Sequence, residues 1–155
     1  MAITLDQVRR LLAPDEPNYA SAAKLGPVLL PHLKALIDSG DHHYGSKAAY
    51  LASMIDHDHA VEVLRSAAKS PSSLIRVAAA GGIRNVTRPA AAGALLSLLD
   101  DLDAGVRKLA IESSAVRNNA ALLAKIDHLS QKDPSPAIRL LASRALSEAR
   151  ARRSS

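Results

Sequence analysis

Asp133-Pro134-Ser135-Pro136-Ala137-Ile138-Arg139-Leu140-Leu141-Ala142 carries the pattern on which this chain is built. An acidic residue is followed six places later by a cation, a branched residue stands just before that cation, and a small residue comes three places after it. The phrase returns as Asp101 to Arg107 to Ala110, with Val106 before the arginine, and as Ser70 to Arg76 to Ala79, with Ile75 before it. A looser copy reads Asp41 to Lys47 to Tyr50, with Ser46 in the branched place. The cations step by roughly 30 residues, the period of a stacked two-helix repeat rather than of one globular core.

Outward from these phrases the chain divides into paired helical segments. The pattern predicts helices from Tyr44 to Ile55 and Ala60 to Lys69, from Ser72 to Val86 and Pro89 to Asp100, and from Ala104 to Val116 and Ala120 to Ser130. A last helix is expected from Pro134 into a basic tail. Pro71, Pro89 and Pro134 fall where helices begin, where a missing N–H is no loss. Turns of two to five residues make neighbours antiparallel.

The first quarter is less regular. Thr4 and Gln7 have the spacing of a capping box, Leu5, Val8, Leu11 and Leu12 form one apolar stripe, and Pro14 stops the helix. A small helix follows from about Tyr19 to Leu25, and Gly26-Pro27 opens another to about Ser39, with a kink or late start expected at Pro31. The expected organisation is one domain: a cap over 1–15, repeats over 17–40, 41–69, 70–100 and 101–131, a half-repeat over 132–150 and a basic tail over 151–155.

Composition agrees with helices that pack closely. Hydrophobic residues make up 48% of the 155, yet aromatics are 2%, with no Phe or Trp, so the core is built from Ala, Leu, Ile and Val. Ala and Leu are strong helix formers, and runs such as Ala78-Ala79-Ala80 are poor strands. The absence of cysteine excludes disulfides, a thiolate nucleophile and Cys-ligated zinc. The start of the chain has no signal-peptide pattern and no apolar run approaches the ~20 residues that span a bilayer, so a cytoplasmic protein without membrane contact is expected.

The repeated phrase resembles the first helix of a HEAT repeat, in particular the short bacterial type related to phycobilisome lyase HEAT-like repeats. The resemblance covers about residues 41–150 and is loose before that. It implies an all-α, right-handed α-solenoid of about four HEAT-like helical hairpins with an N-terminal capping helix. It also implies a scaffold or adaptor more readily than an enzyme. In such repeats the arginine resembles a structural residue that bonds an acidic or capping residue of its own or the adjacent repeat. Arg76, Arg107 and Arg139, with Asp101 and Asp133, are therefore read as repeat hardware rather than as a row of phosphate contacts.

No catalytic constellation emerges. Asp41-His42-His43 and Asp56-His57-Asp58-His59 carry metal-ligand types, but the helix between them holds the groups about 15 Å or more apart, and no metal site is expected. HEAT-like di-iron hydroxylases carry His-Glu pairs, and this sequence has none. No serine lies in a nucleophile elbow, and Gly81-Gly82, read as mid-helix, lacks the rest of a phosphate loop and suits close helix contact. No cofactor is expected.

Two surfaces are candidates for binding. The turns inside the repeats carry Arg84-Asn85 with Arg88, then Arg117-Asn118-Asn119, and stacking would align them as a ridge of cationic and amide donors. The second helices carry His59, Glu62, Arg65, Lys69, Lys125 and His128, and line the concave face. The segment Pro89 to Leu99 is almost wholly apolar, which requires burial on both sides or a partner. The expected function is non-enzymatic: a scaffold or adaptor that binds another protein through the concave face. Net charge +5 keeps contact with a nucleic-acid duplex backbone as an alternative, although only Tyr19, Tyr44 and Tyr50 could stack on bases. The resemblance to lyase repeats adds a third reading, an accessory protein for cofactor attachment.

Overall fold

A computed structural model describes residues 2–154. The described residues form helices and connecting turns, without strands. α1 (Leu5–Leu12) carries the capping box: Gln7 N–H donates to Thr4 Oγ1 at 3.2 Å, and Thr4 N–H donates to Gln7 Oε1 at 2.8 Å. α2 (Tyr19–Ala23) is a short turn of helix capped by Asn18. A 3-10 segment, Gly26–Leu29, leads into α3 (Leu30–Asp38), so the late start expected at Pro31 is seen as a change of helix type one residue earlier. Proline in the first turn of α3 leaves no interior hydrogen bond unmade.

The regular repeats follow as α4 (His42–Ser53) with α5 (Asp58–Ala68), α6 (Ser73–Gly82) with α7 (Ala92–Leu98), and α8 (Ala104–Ala115) with α9 (Ala120–Lys132). α10 (Pro136–Ser154) closes the described stack. Three expected boundaries need correction. The helix expected to run to Val86 ends at Gly82 and continues as a 3-10 turn, Ile83–Asn85, so Gly81 and Gly82 end a helix rather than interrupt one. Pro89 begins a 3-10 turn, Pro89–Ala91, ahead of α7. Pro136, not Pro134, is the first residue of α10, because Ser135 caps the helix by accepting from Ile138 N–H.

The helices make two layers. α4 packs on α6, α6 on α8 and α8 on α10, while α3 packs on α5, α5 on α7 and α7 on α9. Each hairpin alone exposes an apolar face, and stacking buries it against the next. The continuous core between the layers holds Leu33, Leu51, Leu64, Ile75, Leu95, Leu98, Ile111 and Leu122. Alanines at the layer contacts, among them Ala48, Ala79, Ala110 and Ala142, are wholly buried and let the first helices approach. The chain is thus an α-solenoid with α1 laid over its first repeats.

Candidate protein-binding surface

The first-helix starts share one local structure. Two residues before each N-cap, a Ser or Asp side chain accepts the N–H of the cap: Ser39 from Asp41, Ser70 from Ser72, Asp101 from Asp103 and Asp133 from Ser135. Each cap in turn accepts an N–H three residues on, at Tyr44, Ile75, Val106 and Ile138. Such side-chain turns satisfy donors that the helix cannot. The four positions recur at Ser39, Ser70, Asp101 and Asp133.

From four residues after the cap, an arginine joins one repeat to the next. Arg76 Nη1 donates to the carbonyls of Ser70 and Pro71 at 2.8 and 3.2 Å, while Nε and Nη2 grip the Asp101 carboxylate at 2.8 and 3.3 Å. Arg107 repeats this with the Asp101 and Leu102 carbonyls at 2.9 and 3.2 Å, and with Asp133 at 2.8 and 3.0 Å. The fork geometry makes these pairs bidentate and charge-assisted. Arg107 and Asp133 side chains are 11% and 1% exposed, against 18% and 9% for Arg76 and Asp101, so removing a partner from the former pair strands a more deeply buried charge. Burial alone would favour a neutral Asp133, but the Arg107 hydrogen bonds, the Ser135 N–H and the charges of Arg107 and Arg139 together hold its pKa below the ordinary carboxylate value.

This geometry corrects the register of the second repeat. Asp41 is an N-cap, so its counterparts are Ser72 and Asp103, and the place of Asp101 is taken by Ser39. The place of the arginine is Gly45, the branched place is Tyr44, and the small residue three further on is Ala48, wholly buried like Ala79 and Ala110. Lys47 is therefore no copy of the arginines. Its Nζ donates to the carbonyls of Leu12 at 3.0 Å and Pro14 at 2.6 Å, clasping the end of α1.

The turn edge is held in the opposite direction. Arg88 pairs with Asp56 at 3.1 Å and Asp58 at 2.6 Å in the preceding repeat. Arg117 donates from Nη1 to the Val86 carbonyl and from Nη2 to the Arg88 carbonyl at 2.6 Å, and its burial lowers its pKa from the usual guanidinium value. Arg152 donates to the Ala115 carbonyl at 2.7 Å, Arg153 Nε donates to Asn118 Oδ1 at 2.8 Å, and Asn85 donates to Ser53 Oγ at 3.2 Å. Asn119 caps α9 by accepting from Leu122 N–H. The supposed ridge of outward donors is thus largely occupied in joining neighbours, and Arg84 is the member left exposed without a hydrogen bond to the described chain. An open cleft of about 380 Å³ beside it is walled by Thr87, Ala92, Val116 and Asn119, and brings no nucleophile beside a base.

The second-helix layer offers a different surface. On α5, His59, Glu62 and Arg65 are exposed, as is Lys69 at its C-cap, with Arg65 Nη2 donating to the Ala90 carbonyl at 3.1 Å. α7 exposes Gly93, Leu96 and Ser97, and Ala90 is exposed just before it, while Ala91, Ala94, Leu95 and Leu98 are buried. The apolar segment is therefore buried on one side and open on the other. A Cβ at Gly93 would meet nothing within 4 Å. On α9, Ala121, Ala124 and His128 are exposed, and Lys125 Nζ pairs with Asp100 at 2.6 Å. Leu102, 99% exposed at the adjoining loop, is an apolar side chain that the sequence reading passed over. It falls in a loop whose neighbours at Gly40, Pro71 and Pro134 give no sign of it.

The histidines do not gather into a metal site. His57 caps α5, its Nδ1 accepting from His59 N–H at 3.1 Å. His42 Nδ1 bonds Ser72 Oγ across the first-helix layer. Among the described residues no three His, Asp or Glu side chains come together as a metal-holding group, and no helix is long and apolar enough to cross a membrane.

Among solved structures, a chain of the complex of CpcE and CpcF of phycocyanin lyase from Nostoc sp. PCC7120 superimposes with a TM-score of 0.71 at 20% identity, over 91% of this chain and 96% of that one. At that identity the likeness establishes the fold alone. No curated protein sequence matches. The family of HEAT repeats matches residues 30–115, more than half of the chain and the span from α3 through α8. With its paired helices and its repeated Asp, cap and Arg positions, the chain belongs to the HEAT repeat family.

Proposed function

We propose that this helical-repeat scaffold is a non-enzymatic adaptor that binds a partner protein across the concave face formed by α5, α7 and α9. The observation that carries the reading is the open side of α7. Ala90, Gly93, Leu96 and Ser97 make a low, mostly apolar strip between charged flanks at Glu62, Arg65 and Lys69 on one side and Lys125 and His128 on the other. Small residues allow close approach of a partner element, and charged rims set its orientation. The nucleic-acid alternative is weaker, because Arg65, Arg76, Arg88, Arg107, Arg117 and Lys125 are already held by acceptors of the chain itself. Affinity capture from native lysate with wild type, Gly93→Arg and Leu96→Asp tests the proposal. Wild type should retain a protein that both variants lose, with helicity unchanged. Retention of every partner by both variants would count against the face.

A second reading is supported by the likeness to a chain of the CpcE–CpcF complex over nearly its whole length. In it, the scaffold serves as an accessory in attaching a cofactor to a protein. Titration with a bilin should then change the chromophore's absorption spectrum. An unchanged spectrum, with or without a captured partner, would remove this reading.

A further inference from the structure

Among the described residues the arginine ladder is open at Arg139 and at Glu16. Arg139 stands four residues after the cap Ser135, the position of Arg76 and Arg107. Its Nη1 donates to the Asp133 carbonyl at 2.6 Å, as Arg107 Nη1 does to Asp101. Its Nε and Nη2, the atoms that grip the following carboxylate in both earlier copies, make no hydrogen bond within the described residues. Beside it Leu140 is 53% exposed on the outer side of α10.

The chain itself shows that the two halves of this joint occur together. Where the arginine place holds Gly45, the acidic place of the next repeat holds Ser70. Where it holds Arg76 and Arg107, the next acidic places hold Asp101 and Asp133. Arg139 is a fork that grips no following carboxylate among the described residues.

A matching half stands before α2. Glu16-Pro17-Asn18 has the order of Asp133-Pro134-Ser135: an acid, a proline, then the cap of a first helix. Asn18 Oδ1 accepts from Ser21 N–H at 3.0 Å as the N-cap of α2. Glu16 is exposed, and among the described residues no arginine reaches it. Asp15 beside it adds negative charge at the head, and Arg144 and Arg150 add positive charge near the tail.

We propose that these ends are two halves of one joint, so that the head of a second copy seats on α10 with its Glu16 carboxylate gripped by Arg139 and Leu140 covered beside it. The contact is heterologous, and repetition gives open chains or a closed ring rather than an isologous dimer. The proposal does not depend on the concave face, which it leaves free.

Sedimentation equilibrium over a concentration series tests it with wild type, Arg139→Glu, Glu16→Arg and an equimolar mixture of the two variants. Wild type should show a mass that rises with concentration and falls with added salt. Each variant alone meets like charge at the joint and should associate at least about tenfold more weakly. The mixture should recover association, because each variant supplies the end that the other's altered end can pair with. Arg139→Lys, which keeps the charge and loses the fork, should weaken association less than Arg139→Glu does. Circular dichroism confirms that each variant is folded. A wild type that stays monomeric at every concentration, an association that neither charge reversal alters, or a mixture that stays monomeric would each overturn the proposal.

Discussion

The junction between α4 and α6 and the junctions further along solve the same registration problem with different chemistry. From α6 onward an arginine reaches forward to an aspartate, Arg76 to the part-buried Asp101 and Arg107 to the buried Asp133. Between α4 and α6 there is no such pair. Gly45 stands in the arginine place, and Ile75 packs so tightly on it that an added Cβ would lie 2.5 Å from its Cδ1. At the other end of the same contact, a Cβ on Gly82 would lie 2.9 Å from Ser53 Cβ. The ionic joints specify register by direction and charge, and the glycine joint by shape. Shape complementarity needs no buried charge, whereas the ionic joint is costly once one partner is lost.

The difference predicts opposite sensitivities. Arg107→Ala should be the most damaging single change, leaving Asp133 buried and uncompensated, at about 3 kcal/mol in urea unfolding. That corresponds to a fall in Tm of about 9 °C for a domain of this size. Gly45→Ala should cost about 2 kcal/mol by overpacking, and Ile75→Val in the same chain should recover part of it by removing the atom that clashes. If Gly45→Ala is neutral, the glycine joint is looser than its geometry indicates. Lys47→Ala should cost about 1 kcal/mol and leave the later repeats unaffected, because its two carbonyl contacts hold only the end of α1. Hydrogen exchange should localise the loosening to residues 5–12.

The pH response also separates the joints. The folded pKa of Asp133 lies below its unfolded value, so its ionised form stabilises the fold above the ordinary aspartate pKa of about 3.9. That contribution is lost as pH falls through the lower folded pKa. Asp133→Asn should be destabilised at neutral pH and show a shallower loss of stability on acidification. Equal acid slopes for the two chains would argue against an ionised Asp133 in the joint.

How much of this was legible in the sequence depended on whether an interaction uses side chains of distinctive chemistry. Asp101, Arg107, Asp133 and Arg139 announced the period because acids and arginines at fixed spacing are visible as letters. Thr4 and Gln7 announced the first cap in the same way. In the second repeat Asp41 and Lys47 imitate the pair two residues out of register while playing other parts, a cap and a clasp. Ala48 carried the correcting signal, since a small buried residue falls three places after the arginine position in every copy. The inter-repeat contacts of the turn residue Arg117 were not legible, because it uses the backbone carbonyls of Val86 and Arg88 as acceptors, which leave no mark in sequence. The open side of α7 was visible only as excess apolarity, since which half of a helix is covered depends on its neighbours.

The repeated arginines register one repeat on the next. A double-mutant cycle on Arg107 and Asp133, followed by urea unfolding at neutral pH, tests it most directly. Arg107→Ala, Asp133→Ala and the pair together should give a coupling energy of about 2 kcal/mol, with the double variant more stable than the sum of the single losses predicts. A coupling energy below about 0.5 kcal/mol, with losses that simply add, would contradict it.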